Sequence, residues 1–310
     1  MYETLVLEKS GIEGIGSEHL PEDAVLGRLN QNIVIENVSR VYNIKRGRKK
    51  ERFVAIENFN LEVRNGEFLT IVGPSGCGKS TLLDLLAGLS QPDTGSIFID
   101  GKKVTGPALD RGLVMQGYAL FPWRTVSKNI QFGLELQKVG KEERTRIAQE
   151  YLRLVGLSGF EDRFPHELSG GMKQRVAIAR ALAYNPKVLL MDEPFAAVDA
   201  QTRELLQEEL LRIWEKTHKT IIFITHSIEE AVFLGQRVAV MTIDPGSVKD
   251  VIDVDLPVPR KSGDVKNSPH FNWTVHKVWK SLHNEEDEPR IHGAEDCGDG
   301  IEKIYLDTAL

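Results

Sequence analysis

Phe68-Leu69-Thr70-Ile71-Val72-Gly73-Pro74-Ser75-Gly76-Cys77-Gly78-Lys79-Ser80-Thr81 decides the fold of this chain. The first five residues predict a short buried strand. The next nine carry G-x-x-x-x-G-K-[ST] in full, and a helical pattern over 80–89 follows. Gly73, Gly76 and Gly78 let backbone N–H groups turn inward around phosphate oxygens, with Pro74, Ser75 and Cys77 completing the loop. The N-terminus of the next helix adds a field that favours anions. Lys79 is placed to neutralise the β and γ phosphates of ATP, and Ser80, followed by Thr81, to ligate Mg2+. Strand, loop and helix in this order are the context the motif requires. Cys77 reads as a small filler whose thiol would alkylate more readily without nucleotide.

Downstream, Val188-Leu189-Leu190-Met191-Asp192-Glu193-Pro194 is an apolar strand that ends in two carboxylates. Buried strands avoid charge, so carboxylates at a strand end mark a site. Asp192 is the candidate for holding Mg2+, and Glu193 for the base that positions water against the γ-phosphate. His226 closes a second apolar run, Ile221 to Thr225. A histidine there is often structural; after a glycine loop it reads better as a γ-phosphate contact that orients the water and Glu193. Gln116 ends the run Gly112 to Met115, and its amide can reach Mg2+ or the attacking water.

Strand-like and helical patterns alternate between these points. Strands are expected over 96–100, 113–116, 188–191 and 220–225, and helices over 142–155, 172–183 and 201–216. The alternation predicts an α/β domain with a mainly parallel sheet. Upstream, the runs from Ile33 to Val38 and Phe53 to Val63 predict an antiparallel β piece. Lys45-Arg46-Gly47-Arg48-Lys49-Lys50 joins them, either as a solvated hairpin turn or as a contact for an anionic lipid or nucleic acid. A mostly helical insertion is expected over about 118–167. The boundaries expected are a leader at 1–31, one domain at 32–256 and a C-terminal extension at 257–310. The segment Pro257-Val258-Pro259 breaks structure, and one short helix is expected over 269–283.

The 310 residues are 41% hydrophobic, enough for one large domain with appendages. A net charge of −6 argues against a nucleic-acid partner. Much of the acidity follows Asn284, where nine carboxylates face only Arg290 and Lys303; such a tail is usually solvated. The two cysteines, Cys77 and Cys297, suggest neither a metal site nor a disulfide framework, which fits a reducing cytosol. No apolar run is long enough to span a bilayer, and the acidic N-terminus does not read as a secretion signal. The chain is expected to stay inside the cell, with any membrane part supplied by another subunit.

Leu168-Ser169-Gly170-Gly171-Met172-Lys173-Gln174-Arg175 is the second glycine-bearing segment. With it, the chain resembles the ATP-binding subunits of ABC transporters from about Ile33 to Val254. The resemblance rests on order and spacing: 90 residues from Lys79 to Ser169, 24 from there to Glu193, and 33 on to His226. It implies a P-loop NTPase fold with a RecA-like α/β core, an antiparallel β subdomain and a helical insertion. It implies ATP and Mg2+ as cofactors, Gln116 in a Q-loop, Asp199 in a D-loop at the dimer contact, and Tyr42 as an aromatic that stacks on adenine, unless it merely packs. It further implies a head-to-tail dimer in which Ser169, Gly170, Gly171 and Gln174 face the ATP of the partner protomer. Hydrolysis would release that dimer, so ATP acts as a differential ligand of the closed state.

A finer resemblance is to the nitrate, sulfonate and taurine importers, a group that includes bicarbonate importers. It is carried by Leu120-Phe121-Pro122-Trp123-Arg124-Thr125-Val126, by Phe195 to Arg203, and by Val254 to Arg260. Trp123 suits an exposed protein interface beside a coupling groove, or a core position. The implied partners are a second ATPase subunit, transmembrane permease subunits and a solute-binding protein, at the cytoplasmic face of the plasma membrane. Val198 stands where leucine is usual, Gly235-Gln236 where Ala-Asp is usual, and Gly117 where a polar residue would stiffen the coupling segment. A soluble ATPase acting on DNA or ribosomes is the alternative; the first would need a coiled-coil insertion and the second a duplicated domain. A non-catalytic module would be expected to lack Glu193 or His226.

Overall fold

The computed structural model describes residues 31–46, 49–257 and 259–283; the leader before Gln31, residues 47 and 48, Cys297 and the acidic tail lie outside them. β1 (Gln31–Arg46) and β2 (Lys49–Arg64) form an antiparallel hairpin, with Arg46 opposite Lys49. The flanks of the basic cluster, Lys45 with Lys50 and Arg46 with Lys49, therefore pair across the hairpin. β4 (Thr94–Ile99) pairs with the free edge of β1 and turns through Asp100 and Gly101 into β5 (Lys102–Lys103). Asp100 and Gly101 both have φ in the left-handed region, which ends the strand one residue before the expected point.

The second sheet contains β3 (Phe68–Val72), β6 (Arg111–Val114), β7 (Val188–Asp192), β8 (Thr220–Ile224), β9 (Arg237–Met241) and β10 (Val248–Asp253). Its order is β10-β9-β3-β8-β7-β6, parallel except for β10. The central strands are mostly apolar, with Thr70 buried in β3, because both faces are covered. Alternation along each strand divides them: Leu69, Ile71, Leu190, Ile222 and Ile224 pack toward the antiparallel sheet and the first helix, while Phe68, Leu189, Met191, Ile221 and Phe223 pack toward the remaining helices.

The helices are α1 (Lys79–Ala87), α2 (Val126–Leu136), α3 (Lys141–Leu154), α4 (Gly170–Ala183), α5 (Ala200–Thr217), α6 (Ile228–Leu234), α7 (Ser262–Val265) and α8 (Pro269–Leu282). Thr125, Ser169, Asp199, Ser227 and Ser268 each accept a backbone N–H at a helix start, so five helix starts are set by local sequence. α1 stops short of the expected Leu89. Gly88 takes φ 77° and donates to Asp84 O and Leu85 O, and a Cβ there would collide with the Gly106 carbonyl. The helical part does not end at Glu167, because α4 packs with α2 and α3 in one apolar cluster.

Beyond the expected elements, β9 and β10 extend the sheet, and the chain after Val254 is bolted to it. The buried Arg260 donates to Phe233 O and Gly235 O, both at 2.8 Å, at the C-terminal end of α6. The backbone N–H of Ser262 donates to Glu208 Oε1 on α5 at 2.8 Å. α8 then lays Phe271, Thr274 and Val278 on the core. Among the described residues, no helix is long and apolar enough to cross a membrane.

Candidate active site

The candidate residues follow the carboxyl ends of neighbouring strands. The order β3-β8-β7-β6 brings together the loop from Gly73, His226, the Asp192-Glu193 pair and Gln116 along one edge of the sheet, where α/β folds place ligands. Strand spacing of about 4.8 Å keeps groups on adjacent strands within reach of one small ligand.

The loop from Gly73 to Gly78 arches over the start of α1. Gly76 and Gly78 have φ of 85° and 96°. A Cβ on Gly78 would stand 2.7 Å from Ala55 O, so only glycine fits there, beneath the antiparallel sheet. Cys77 is fully buried beneath the loop, and burial pushes its thiol up from its ordinary pKa despite the nearby Lys79. It is a filler, not a reactive thiolate. Lys79 Nζ donates to Gly73 O at 2.7 Å and Pro74 O at 3.0 Å, which holds its charge inside the arch. Pro74, Ser75, Gly76 and Ser80 are exposed, and Thr81 is half-buried. Inward cationic charge, a backbone that excludes Cβ atoms and the N-terminus of α1 suit a phosphate chain.

Asp192 is the last residue of β7, and Ser80 Oγ donates to its Oδ2 at 3.5 Å. Burial, followed by the negative charge of Glu193, raises the Asp192 carboxyl above its ordinary range. A hydroxyl and a carboxylate that pays a desolvation penalty form a hard oxygen pair suited to Mg2+. Glu193 follows with φ 40°, its N–H donating to Ile224 O at 3.0 Å. A non-glycine residue in this region is strained and marks functional turns. The turn aims the carboxylate across to β8, where Glu193 Oε2 lies 3.2 Å from His226 Nδ1. His226 stands two residues past the end of β8, so the two β strand ends are bridged by side chains 33 residues apart.

Gln116 lies two residues past β6 in a turn and is exposed. Gly117, Tyr118 and Ala119 after it all have left-handed φ values of 83°, 69° and 48°. The segment is not loose. Arg180 on α4 donates to Ala119 O at 2.6 Å and Tyr118 O at 3.0 Å, clamping the strained carbonyls. Tyr42 on β1 is half-buried, with the Arg40 guanidinium 4.9 Å from its ring centre.

Ser169 is exposed at the start of α4 and accepts from Met172 N at 3.3 Å. A Cβ on Gly171 would stand 2.7 Å from Thr202 Cγ2, and one on Gly170 would press on Tyr118 Oη at 3.0 Å. Among the described residues, no hydrogen bond or ion pair joins Ser169, Gly170 or Gly171 to the loop or to the carboxylate pair. Gln174 differs from the expectation. It is 1% exposed and lies on the α4 face shared with Gly171 and Ile178, turned into the core by the helical period. It presents no surface to a partner's nucleotide. Asp199 is exposed at the start of α5, where the Thr202 N–H holds its carboxyl below the usual range.

A family model described as ABC transporter matches residues 56–196. An uncharacterised ABC transporter ATP-binding protein from Methanocaldococcus jannaschii is 54% identical over 233 residues, covering 75% of this chain and 86% of that protein. The chain belongs to the ABC transporter ATP-binding family. A nitrate import ATP-binding protein, NrtD from Synechocystis, is 49% identical over 245 residues, covering 77% of this chain and 91% of that protein. A dimeric ATP-binding cassette in a post-hydrolysis state, bound to ADP and Pi, superposes with a TM-score of 0.63 at 34% identity, covering 73% of this chain and all of that one. The ABC fold and ATP hydrolysis are thereby assigned to this chain.

The ABC cassette here also carries features that its motifs do not reveal. An apolar groove of about 350 Å³ opens between the helical part and the sheet, lined by Leu113, Phe121, Phe132, Leu136 and Tyr184. Gly133 makes the contact of α2 with α4 possible: a Cβ would stand 2.7 Å from Tyr184 Cγ. Trp123 is 72% exposed, next to Phe121 at 5.7 Å between ring centres, which excludes the core position. Arg203 on α5 donates to Val198 O at 2.8 Å and, with Thr225, lines the cavity around Glu193 and His226. Its sequence signal is weak: an arginine four residues after a capping aspartate.

Proposed function

We propose that this ABC ATPase energises an importer for a small anion of the nitrate, sulfonate, taurine or bicarbonate class. In this reading Lys79 and the backbone N–H groups of Gly73 to Thr81 bind the ATP phosphates, and Tyr42 stacks on the adenine. Ser80, Asp192 and Gln116 would hold Mg2+, which supplies charge neutralisation on the phosphate oxygens. Glu193 accepts the proton of the attacking water, and His226 keeps Glu193 and the water in line with the γ-phosphate. Ser169, Gly170 and Gly171 complete the site of a second protomer, with Asp199 at the contact between them. That no hydrogen bond or ion pair among the described residues joins Ser169 to its own chain's phosphate loop supports that sharing.

Closure of such a dimer moves the helical part, and the strained segment after Gln116 carries the movement to a permease. The observation that carries the transport reading is the apolar groove with Trp123 exposed beside it, since exposed aromatic groups of this size mark protein interfaces. The proposed partners are a second copy or a paralogue, permease subunits in the plasma membrane and, through them, a solute-binding protein. The chain sits peripherally on the cytoplasmic face. Residues 32–256 form the cassette, and 257–310 an extension. The helices between Lys79 and Ser169 are 11 and 14 residues long, too short for the coiled-coil arm of a DNA-acting ATPase. The test is uptake of labelled nitrate, taurine, an alkanesulfonate and bicarbonate by host cells with and without this chain. Loss of uptake of one anion is expected; unchanged uptake of all four removes the import reading.

A further inference from the structure

We propose that Glu230 is a positioning residue for ATP hydrolysis: it fixes the Thr225-His226-Ser227 turn against α5 and thereby sets where the His226 ring stands relative to Glu193. The inference rests on the roles proposed above for Glu193 and His226.

Glu230 lies in the first turn of α6 and is 7% exposed. Buried carboxylates normally face a cation. This one does not. Its Oε1 accepts from Gln207 Nε2 on α5 at 2.9 Å, and its Oε2 accepts from the Thr225 hydroxyl. Thr225 Oγ1 in turn accepts from Ser227 N at 3.1 Å, and Ser227 Oγ accepts from Glu230 N at 3.3 Å. Three residues around His226 are thus closed into a ring, while the His226 side chain points outward to Glu193.

An ordinary helix cap does not account for this pattern. Ser227-x-x-Glu230 fits the capping box, in which the glutamate reaches back to the N–H of the capping serine. Here Thr225 has taken that N–H, and the Glu230 carboxylate is spent on Thr225 and α5 instead. The ring is also anchored to the site. Thr225 N donates to Ile71 O at the end of β3, and Glu193 N donates to Ile224 O. Gln207 stands eight residues, about 12 Å of helix, from Asp199 at the start of α5. Glu230 is where the helix that begins at the proposed dimer contact meets the turn that carries His226.

The test compares Glu230→Ala, His226→Ala and the double variant in the full chain. Hydrolysis of γ-labelled ATP is followed long enough to measure residual rates, and nucleotide affinity is measured with a fluorescent ATP analogue. Glu230→Ala is expected to lower kcat on the order of 100-fold, as misplacement of a reacting group by an ångström does, with nucleotide affinity within about two-fold. In the His226→Ala background the same change should cost no more than about two-fold, because its effect passes through a ring that is gone. Glu230→Gln should recover most of the rate. Gln207 Oε1 has no partner of its own, so its amide can flip and both hydrogen bonds can re-form. If Glu230→Ala does not fold, Thr225→Val reports the same coupling by removing one hydroxyl. Equal losses in both backgrounds, or no loss in either, would overturn the role of Glu230 while leaving His226 assigned. A His226→Ala rate near wild type would instead overturn the parent reading, and this inference with it.

Discussion

Glu193→Gln exchanges one oxygen for an NH2 group and leaves the shape of the side chain unchanged. The backbone contacts of the turn, Glu193 N to Ile224 O at 3.0 Å and Ala196 N to Glu193 O at 3.1 Å, do not involve the side chain. The residue keeps a φ of 40° that glutamine tolerates no better and no worse. Only the contact of Oε2 with His226 Nδ1 changes, and it is partly solvated, so stability should move by less than about 1 kcal/mol. Catalysis should move far more. A positioned base contributes about 10²- to 10⁴-fold, which is about 3 to 5 kcal/mol of barrier at 1.36 kcal/mol per factor of ten. The assay pairs steady-state hydrolysis with nucleotide binding and a size measurement in ATP. The expected variant melts like wild type, binds ATP with unchanged affinity, turns over at least about 100-fold more slowly and accumulates as an ATP-bound dimer. Hydrolysis within about three-fold of wild type would refute the base assignment and the turn geometry on which it rests.

Gly133→Ala would drive a methyl group into the Tyr184 ring and force α2 off α4; a stability loss of about 1 to 3 kcal/mol is expected in urea unfolding, and an unchanged midpoint would contradict that packing. Arg260→Met removes the donors of two well-made hydrogen bonds to the end of α6 while relieving a buried charge. The net loss expected is about 2 kcal/mol, read by denaturant unfolding; a variant as stable as wild type would mean that the C-terminal segment is not held through Arg260.

The sheet edge that builds the site was readable because each functional group stands at or just past the end of a mainly apolar run. Gly73, Gln116, Asp192, Glu193 and His226 each interrupt such a run at its end. The helices Lys141–Leu154, Gly170–Ala183 and Ala200–Thr217 were readable from their apolar pattern, which places their starts at 142, 172 and 201. What the sequence did not reveal depends on contacts far apart in the chain. Gln174 is buried while Ser169 is exposed because Gln174 shares the inward face of α4 with Gly171 and Ile178, and a polar side chain gives no sign of burial on its own. Arg180 clamps carbonyls about 60 residues upstream, so Gly117 alone looked like a loose point. The ring around His226 joins the residue after a strand, Thr225, to a carboxylate five residues on and to Gln207 on another helix, so no local pattern announces it.

The central claim is that each ATP site is shared between two chains. The measurement that tests it most directly mixes a Lys79→Ala chain with a Ser169→Ala chain and follows hydrolysis. Each variant alone should be inactive, because every site in its homodimer lacks one half. In the mixture, half of the heterodimer sites should join an intact Gly73–Thr81 loop to an intact Ser169, and activity should return. A mixture as inactive as its components, with heterodimers shown to form, would contradict the shared site.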